Sequence, residues 1–196
     1  MKKTIFNSII ATVIVTMSIV LFASCTGDSG NMALHEKIKT LEAELKKYKD
    51  DEATTAMRLA RFDTLDFDFY SDQKWDSLAI SHESGIKVYY PDGSTTEGLF
   101  PQHIDKLKPM FVFAPDTKIK THPIRFGTGD YTAVVGEMEG TFSKPMPIGN
   151  GKSIPPTNKP FKLRMVTIGH WKDGKMIEEH LFWDNQSFMK QIGLAQ

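Results

Sequence analysis

Apolar residues fall into three patterns along this chain. Residues 5–22 are almost continuously apolar, interrupted only by Asn7, Ser8, Thr12, Thr16 and Ser18. Over 32–50, Leu34, Ile38, Leu41, Leu45 and Tyr48 recur at steps of 4, 3, 4 and 3 with Lys and Glu between them, which predicts a helix with one apolar stripe. About two heptads fall short of a coiled-coil signature, so a solvated spacer and a dimerising stalk both stay open. Asp51 and Thr54 offer helix-start chemistry. Beyond them, Leu59, Phe62, Leu65 and Phe69 predict a helix to about residue 70. A short helix over 73–80 carries Trp75 and Leu78, and a further one starts at Pro101 with Ile104, Leu107, Met110 and Phe111.

Past residue 115 the texture changes to runs of β-branched and aromatic residues. Residues 86–90 alternate as a strand and stop at Pro91-Asp92-Gly93. Four longer strands follow over 118–126, 132–142, 161–171 and 176–183. The last two are joined by Lys172-Asp173-Gly174-Lys175, a hairpin signal. The proline-rich stretch 143–160 predicts a stiff loop, and 186–192 a closing helix. Helices followed by antiparallel strands give an α+β domain over 51–196.

The N-terminus adds an address. Lys2 and Lys3, the apolar run and Ala23-Ser24 have the layout of a secretory signal. Phe22-Ala23-Ser24-Cys25 resembles a bacterial lipobox, which implies a signal over 1–24, lipidation at Cys25 and a tether and stalk over 25–50. Ordinary secretion and an uncleaved membrane anchor are the alternatives. The lipobox implies a domain outside the cytoplasm, held at the bacterial envelope by its lipid. The chain has a single cysteine and no net formal charge. Losing Lys2 and Lys3 leaves the mature part slightly acidic, which argues against a nucleic-acid partner.

Several segments then resemble one family. Ser81-His82-Glu83 leads into Val88-Tyr89-Tyr90-Pro91-Asp92-Gly93; Ala114-Pro115-Asp116-Thr117 precedes a strand; Pro155-Pro156-Thr157 lies in the long loop. The chain closes on residues 174–185 and then Met189-Lys190-Gln191-Ile192-Gly193-Leu194. Together these are similar to the SnoaL-like polyketide cyclase branch of the nuclear transport factor 2-like superfamily, from about residue 62 to 194. The resemblance implies a curved antiparallel sheet wrapped by three helices around a conical pocket, commonly as a homodimer. It implies a small hydrophobic carbonyl compound as ligand, no metal and no cofactor. It also implies an aspartate near the end of the last strand, here Asp184, as acid and base for ring closure.

Strand periodicity puts Glu178, His180, Phe182 and Asp184 on one face and Ile177, Glu179, Leu181 and Trp183 on the other. If the first face lines the pocket, His180 and Asp184 share a wall about 13 Å apart. Asp184 could equally cap the last helix. His180 and His82 are candidate proton-transfer groups, or histidines satisfied in the core or by a backbone carbonyl. Tyr89, Phe111, Met165 and Phe182 are the candidate ligand contacts. His103, His122 and His170 read as surface residues, and Asp63, Asp66, Asp68 and Asp72 as a solvated face. His82, His170 and His180 lack metal-ligand spacing. An enzyme of cyclase or isomerase type and a non-catalytic binding lipoprotein both remain open.

Overall fold

The computed structural model describes residues 28–196. The signal over 1–24 and the lipidation site Cys25 lie outside the described residues. Helix α1 runs unbroken over Asp28–Thr64, so Asp51 and Thr54 do not start a new helix. Thr54 instead sits mid-helix, its hydroxyl donating to the Asp50 carbonyl at 2.8 Å. The chain divides into two compact units between Tyr48 and Lys49. In the first unit Ile38, Leu41, Leu45 and Tyr48 are all exposed. No described helix is long and apolar enough to cross a membrane.

In the second unit α1 passes into a π-turn at Leu65–Tyr70 and a 3-10 turn at Trp75–Ile80. Strands β1 (His82–Tyr89) and β2 (Thr95–Glu97) follow. A kinked segment, Leu99–His103, with extended backbone at Phe100, opens α2 (Ile104–Phe113). Then come β3 (Lys118–Thr128), β4 (Tyr131–Thr141), a small hairpin of β5 (Met146–Gly149) and β6 (Lys152–Ile154), β7 (Pro160–Lys172), β8 (Lys175–Trp183) and α3 (Asn185–Gln191). The 143–160 stretch is therefore a hairpin rather than a plain loop.

The main sheet has the order β2-β1-β8-β7-β4-β3. It is mixed rather than antiparallel, because β1 runs parallel to β8. Parallel neighbours need a long crossover, and here it is everything between β1 and β8. At the β7–β8 hairpin Asp173 and Gly174 both have positive φ, as a two-residue turn of this hand requires.

The inner face buries Ile86, Val88, Val134, Trp171 and Leu181 against Phe62, Leu65 and Leu78. Phe62 and Trp171 meet edge to face at 5.7 Å, and the Trp171 indole donates to the Thr132 hydroxyl at 2.8 Å. Two arginines fix the C-terminal half of α1 over two hairpin turns: Arg58 donates to the Gly129 carbonyl at 2.7 Å and Arg61 to the Gly174 carbonyl at 2.6 Å. On the outer face, cross-strand partners align Ile124, Val135, Val166 and Phe182 in one row. Phe126, Ala133, Ile168, His180 and Tyr89 form the next.

Candidate functional site

A cavity of about 390 Å³ opens between the sheet's inner face, the π-turn and α2. That volume is within the range of small-molecule sites. Its walls are largely apolar, with Leu107, Met110, Met138, Met165, Leu181 and Trp183 among them. Polar side chains in the lining include Asp66, His82, Tyr90, His103, Thr167 and Glu179.

Asp66 sits in the π-turn, where one extra residue per turn redirects side chains. Its carboxyl is hydrogen-bonded to His122 Nε2 at 2.8 Å, and the other ring nitrogen is hydrogen-bonded to Asp63 at 2.8 Å. Arg125 pairs with Asp63 on the far side. The His122 side chain is 1% exposed although its neighbours on β3 are open. The pairing of β3 with β4 slips between Thr121 and Ile124, and such a bulge re-aims the intervening side chain. Burial raises the Asp66 carboxyl above the usual range, against the opposing pull of His122's hydrogen bond and charge. For His122, burial alone would push the imidazole down. The hydrogen bonds and charges of Asp66 and Asp63 outweigh it and raise the group.

The second polar group comes from three separate elements. His82 opens β1, His103 ends the turn before α2, and Glu179 lies in β8; all three are buried. Glu179 Oε2 is 3.9 Å from His82 Nε2 and 3.5 Å from His103 Nε2. His82 Nδ1 donates to the Leu78 carbonyl at 3.0 Å, so its neutral form turns a bare Nε2 lone pair toward Glu179. His103 Nδ1 is 2.8 Å from Tyr90 Oη, which is 3.1 Å from Thr96 Oγ1. His82 Nε2 and Glu179 Oε2 are buried without a hydrogen-bond partner. Burial lowers the His103 pKa to about 4. Burial pushes Glu179 up, but the combined pull of His82 and His103 holds it below its ordinary value. Burial also pushes Tyr90 up to about 12, so its hydroxyl stays protonated.

These placements revise the sequence reading. His82 reaches the cavity, and its backbone-carbonyl bond is also present; Met165 lines the cavity too. Asp184 does not line it: the side chain is exposed and accepts from the Ser187 amide at 2.9 Å as the N-cap of α3. The assigned faces of β8 are inverted. Glu179 and Leu181 are buried, whereas Phe182 is 51% exposed on the outer face. His180 stacks on Tyr89 at 4.4 Å on that outer face, so neither residue lines the cavity. Phe111 is buried against Tyr70 and Trp75 rather than in the lining. His103 and His122 are not surface residues, and Asp63 and Asp66 are not a merely solvated face.

Strand parity anchored on Asp184 turns the outer face of β8 toward the cavity. The face Ile177, Glu179, Leu181, Trp183 is the more apolar of the two, and that rule alone would have found Glu179. Asp66 stands four residues after Phe62 and three before Phe69, on the apolar stripe itself, which was its signal.

The family described as SnoaL-like polyketide cyclase matches residues 62–192. Among solved structures, a protein of Jannaschia sp. CCS1 assigned as a SnoaL-like polyketide cyclase aligns with a TM-score of 0.61 at 21% identity. The alignment covers 72% of this chain and 95% of that one. IdmH of Streptomyces antibioticus, assigned as a polyketide cyclase, aligns at 0.57 and 20% identity over 70% of this chain and 97% of that one. A protein of Xanthomonas campestris pv. campestris assigned as a polyketide cyclase aligns at 0.58 and 12% identity, over 70% and 98%. At these identities the likenesses speak for the fold. No curated protein sequence matches the chain.

Proposed function

The chain belongs to the SnoaL-like polyketide cyclase family, and from that premise we propose that its cavity binds a small hydrophobic carbonyl compound and moves a proton at the carbon beside the carbonyl, with Asp66 as the acid and base. The supporting observation is one carboxyl with a raised pKa in an apolar wall, hydrogen-bonded through His122 to Asp63. Burial brings the carboxyl nearer neutrality, where a general base works best. Asp63 is 29% exposed, so the Asp66–His122–Asp63 chain links the cavity to solvent and lets the carboxyl be reset. The reading moves the acid–base role from Asp184 to Asp66. Cyclase and isomerase chemistry both begin with this step.

Deuterium exchange tests it without knowledge of the natural substrate. The full chain is incubated in D2O with 2-tetralone, an apolar bicyclic ketone, and exchange beside the carbonyl is followed by NMR. Wild type should accelerate exchange, and Asp66→Asn should lower the rate about 10²- to 10⁴-fold. No acceleration by wild type across a panel of such ketones, or full activity in Asp66→Asn, refutes the assignment.

Two further parts of the proposal concern context. Lipidation at Cys25 would hold the domain on the outside of a bacterial membrane; Cys25→Ala that still partitions wholly into membranes would refute it. A homodimer through the outer face is favoured by the apolar rows there, with Ile124, Phe126, Tyr131 and Phe182 about half exposed or more. Light scattering should show a dimer that Phe182→Asp dissociates, and a wild-type monomer would refute it.

A further inference from the structure

Three acceptor atoms converging in a buried place need a cation or a proton between them. With Tyr90 donating to Thr96, His103 donates from Nδ1 to Tyr90 and also presents a bare Nε2. Glu179 Oε2 and the two Nε2 atoms then face one another with no donor among them. Their separations of 3.5 and 3.9 Å are too long for good hydrogen bonds. Two ligands of a tetrahedral zinc, each 2.0–2.1 Å from the metal, stand about 3.4 Å apart. One donor atom from each of His82, His103 and Glu179 lies within 4.8 Å of the others. Small side-chain rotations close the remainder.

We propose that His82, His103 and Glu179 bind one divalent transition-metal ion of the zinc class through His82 Nε2, His103 Nε2 and a Glu179 carboxylate oxygen. Two imidazoles and one carboxylate form a donor set used by catalytic zinc and by non-haem iron, with positions left open. All three residues line the cavity, so an open position would meet water or a ligand oxygen. Each imidazole's other nitrogen already has the outer partner that metal-bound histidines require: the Leu78 carbonyl for His82 and Tyr90 for His103. The resemblance to the family implied chemistry without a metal; the donor cluster of this chain points to one. The inference goes beyond the proton-transfer reading and does not depend on it.

The test uses the full chain, stripped with a chelator and titrated with Zn(II) or Co(II). Metal analysis after gel filtration should find one zinc per chain. Co(II) should give the intense visible bands of a low-symmetry site with nitrogen and oxygen ligands. Glu179→Gln should abolish both, and Tyr90→Phe, which touches only the outer partner, should weaken affinity about 10- to 100-fold. His35→Ala, on the exposed helix, controls for surface binding and should change nothing. Substoichiometric zinc in wild type, or binding that survives Glu179→Gln, overturns the site. If Glu179→Gln fails to fold, wild-type stoichiometry and the Co(II) spectrum still decide. Zinc binding without ketone exchange would remove the Asp66 reading alone, and exchange without zinc binding would remove the metal alone.

Discussion

Asp184 divides two accounts of this domain: a catalytic carboxylate at the end of β8, or a cap that holds α3. The Ser187 amide donates to Asp184 Oδ1 at 2.9 Å, and α3 spans only Asn185–Gln191. So short a helix depends on its cap and on Phe188 and Ile192, buried beneath it. Asp184→Ala removes the cap acceptor at an exposed site, where the orphaned amide can still bond to water. The expected loss is about 1 kcal/mol. For a domain of this size that lowers Tm by about 2–4 °C. Asp184→Asn, an equally good cap, should stay close to wild type. Urea unfolding of the full chain measures the free-energy difference, with ketone exchange followed in parallel. The expected pattern is a modest stability loss in the alanine variant and exchange rates within about twofold of wild type in both. A tenfold loss of exchange in Asp184→Asn at unchanged stability would refute the cap reading and return the acid–base role to β8.

Other consequences are as direct. A methyl group added at Gly169 would stand 2.7 Å from Met176 Sδ and 3.2 Å from the buried Phe62 ring, so Gly169→Ala should cost about 1–3 kcal/mol in urea unfolding. Thr132→Val leaves the buried Trp171 indole N–H without its acceptor and should cost about 1–3 kcal/mol. His122 has a folded pKa raised above 6.5, so its stabilisation is fully present below pH 6.5 and is lost as pH rises through the folded value. The stability difference between wild type and His122→Asn should therefore shrink from pH 6 to pH 9; a difference that grows with pH would refute the paired-imidazolium reading.

Much of this architecture was legible because period and composition agreed locally. The strand runs, the Asp173-Gly174 turn and the helical stripe from Leu59 to Phe69 each carry their own signal within a few residues. Parallel pairing of β1 with β8 has no such local signature, because partners almost a hundred residues apart are chosen by the sheet as a whole. The site was less legible for a related reason. Period-two reasoning assumes an unbroken ladder, but the pairings of β1, β3 and β8 all slip. His122 turns inward through one of these irregularities. His103 ends a kinked segment interrupted by extended backbone at Phe100, where neither helical nor strand spacing applies. His82 was found because the family resemblance pointed at it, not because spacing did.

Glu179 shows why such a site resists reading yet stands out once folded. Its cross-strand row is Thr132, Gly169, Glu179 and Val88, an inner-face row that nothing about packing requires to be charged. A leucine there would continue Leu181 and avoid the cost of burying a carboxylate. The two histidines facing it pull its pKa down against that cost, but at 3.9 and 3.5 Å neither ring reaches the carboxylate with a good hydrogen bond, and burial holds His103 toward its neutral form. If a cation normally completes the cluster, Glu179→Gln should relieve uncompensated charge and stabilise the metal-free chain, while cancelling the stabilisation that zinc gives wild type. If instead a proton on His82 completes it, the same variant should destabilise the metal-free chain and leave an unpaired buried charge. The sign of one unfolding difference, measured in chelator, therefore separates a metal-binding triad from an internal ion pair.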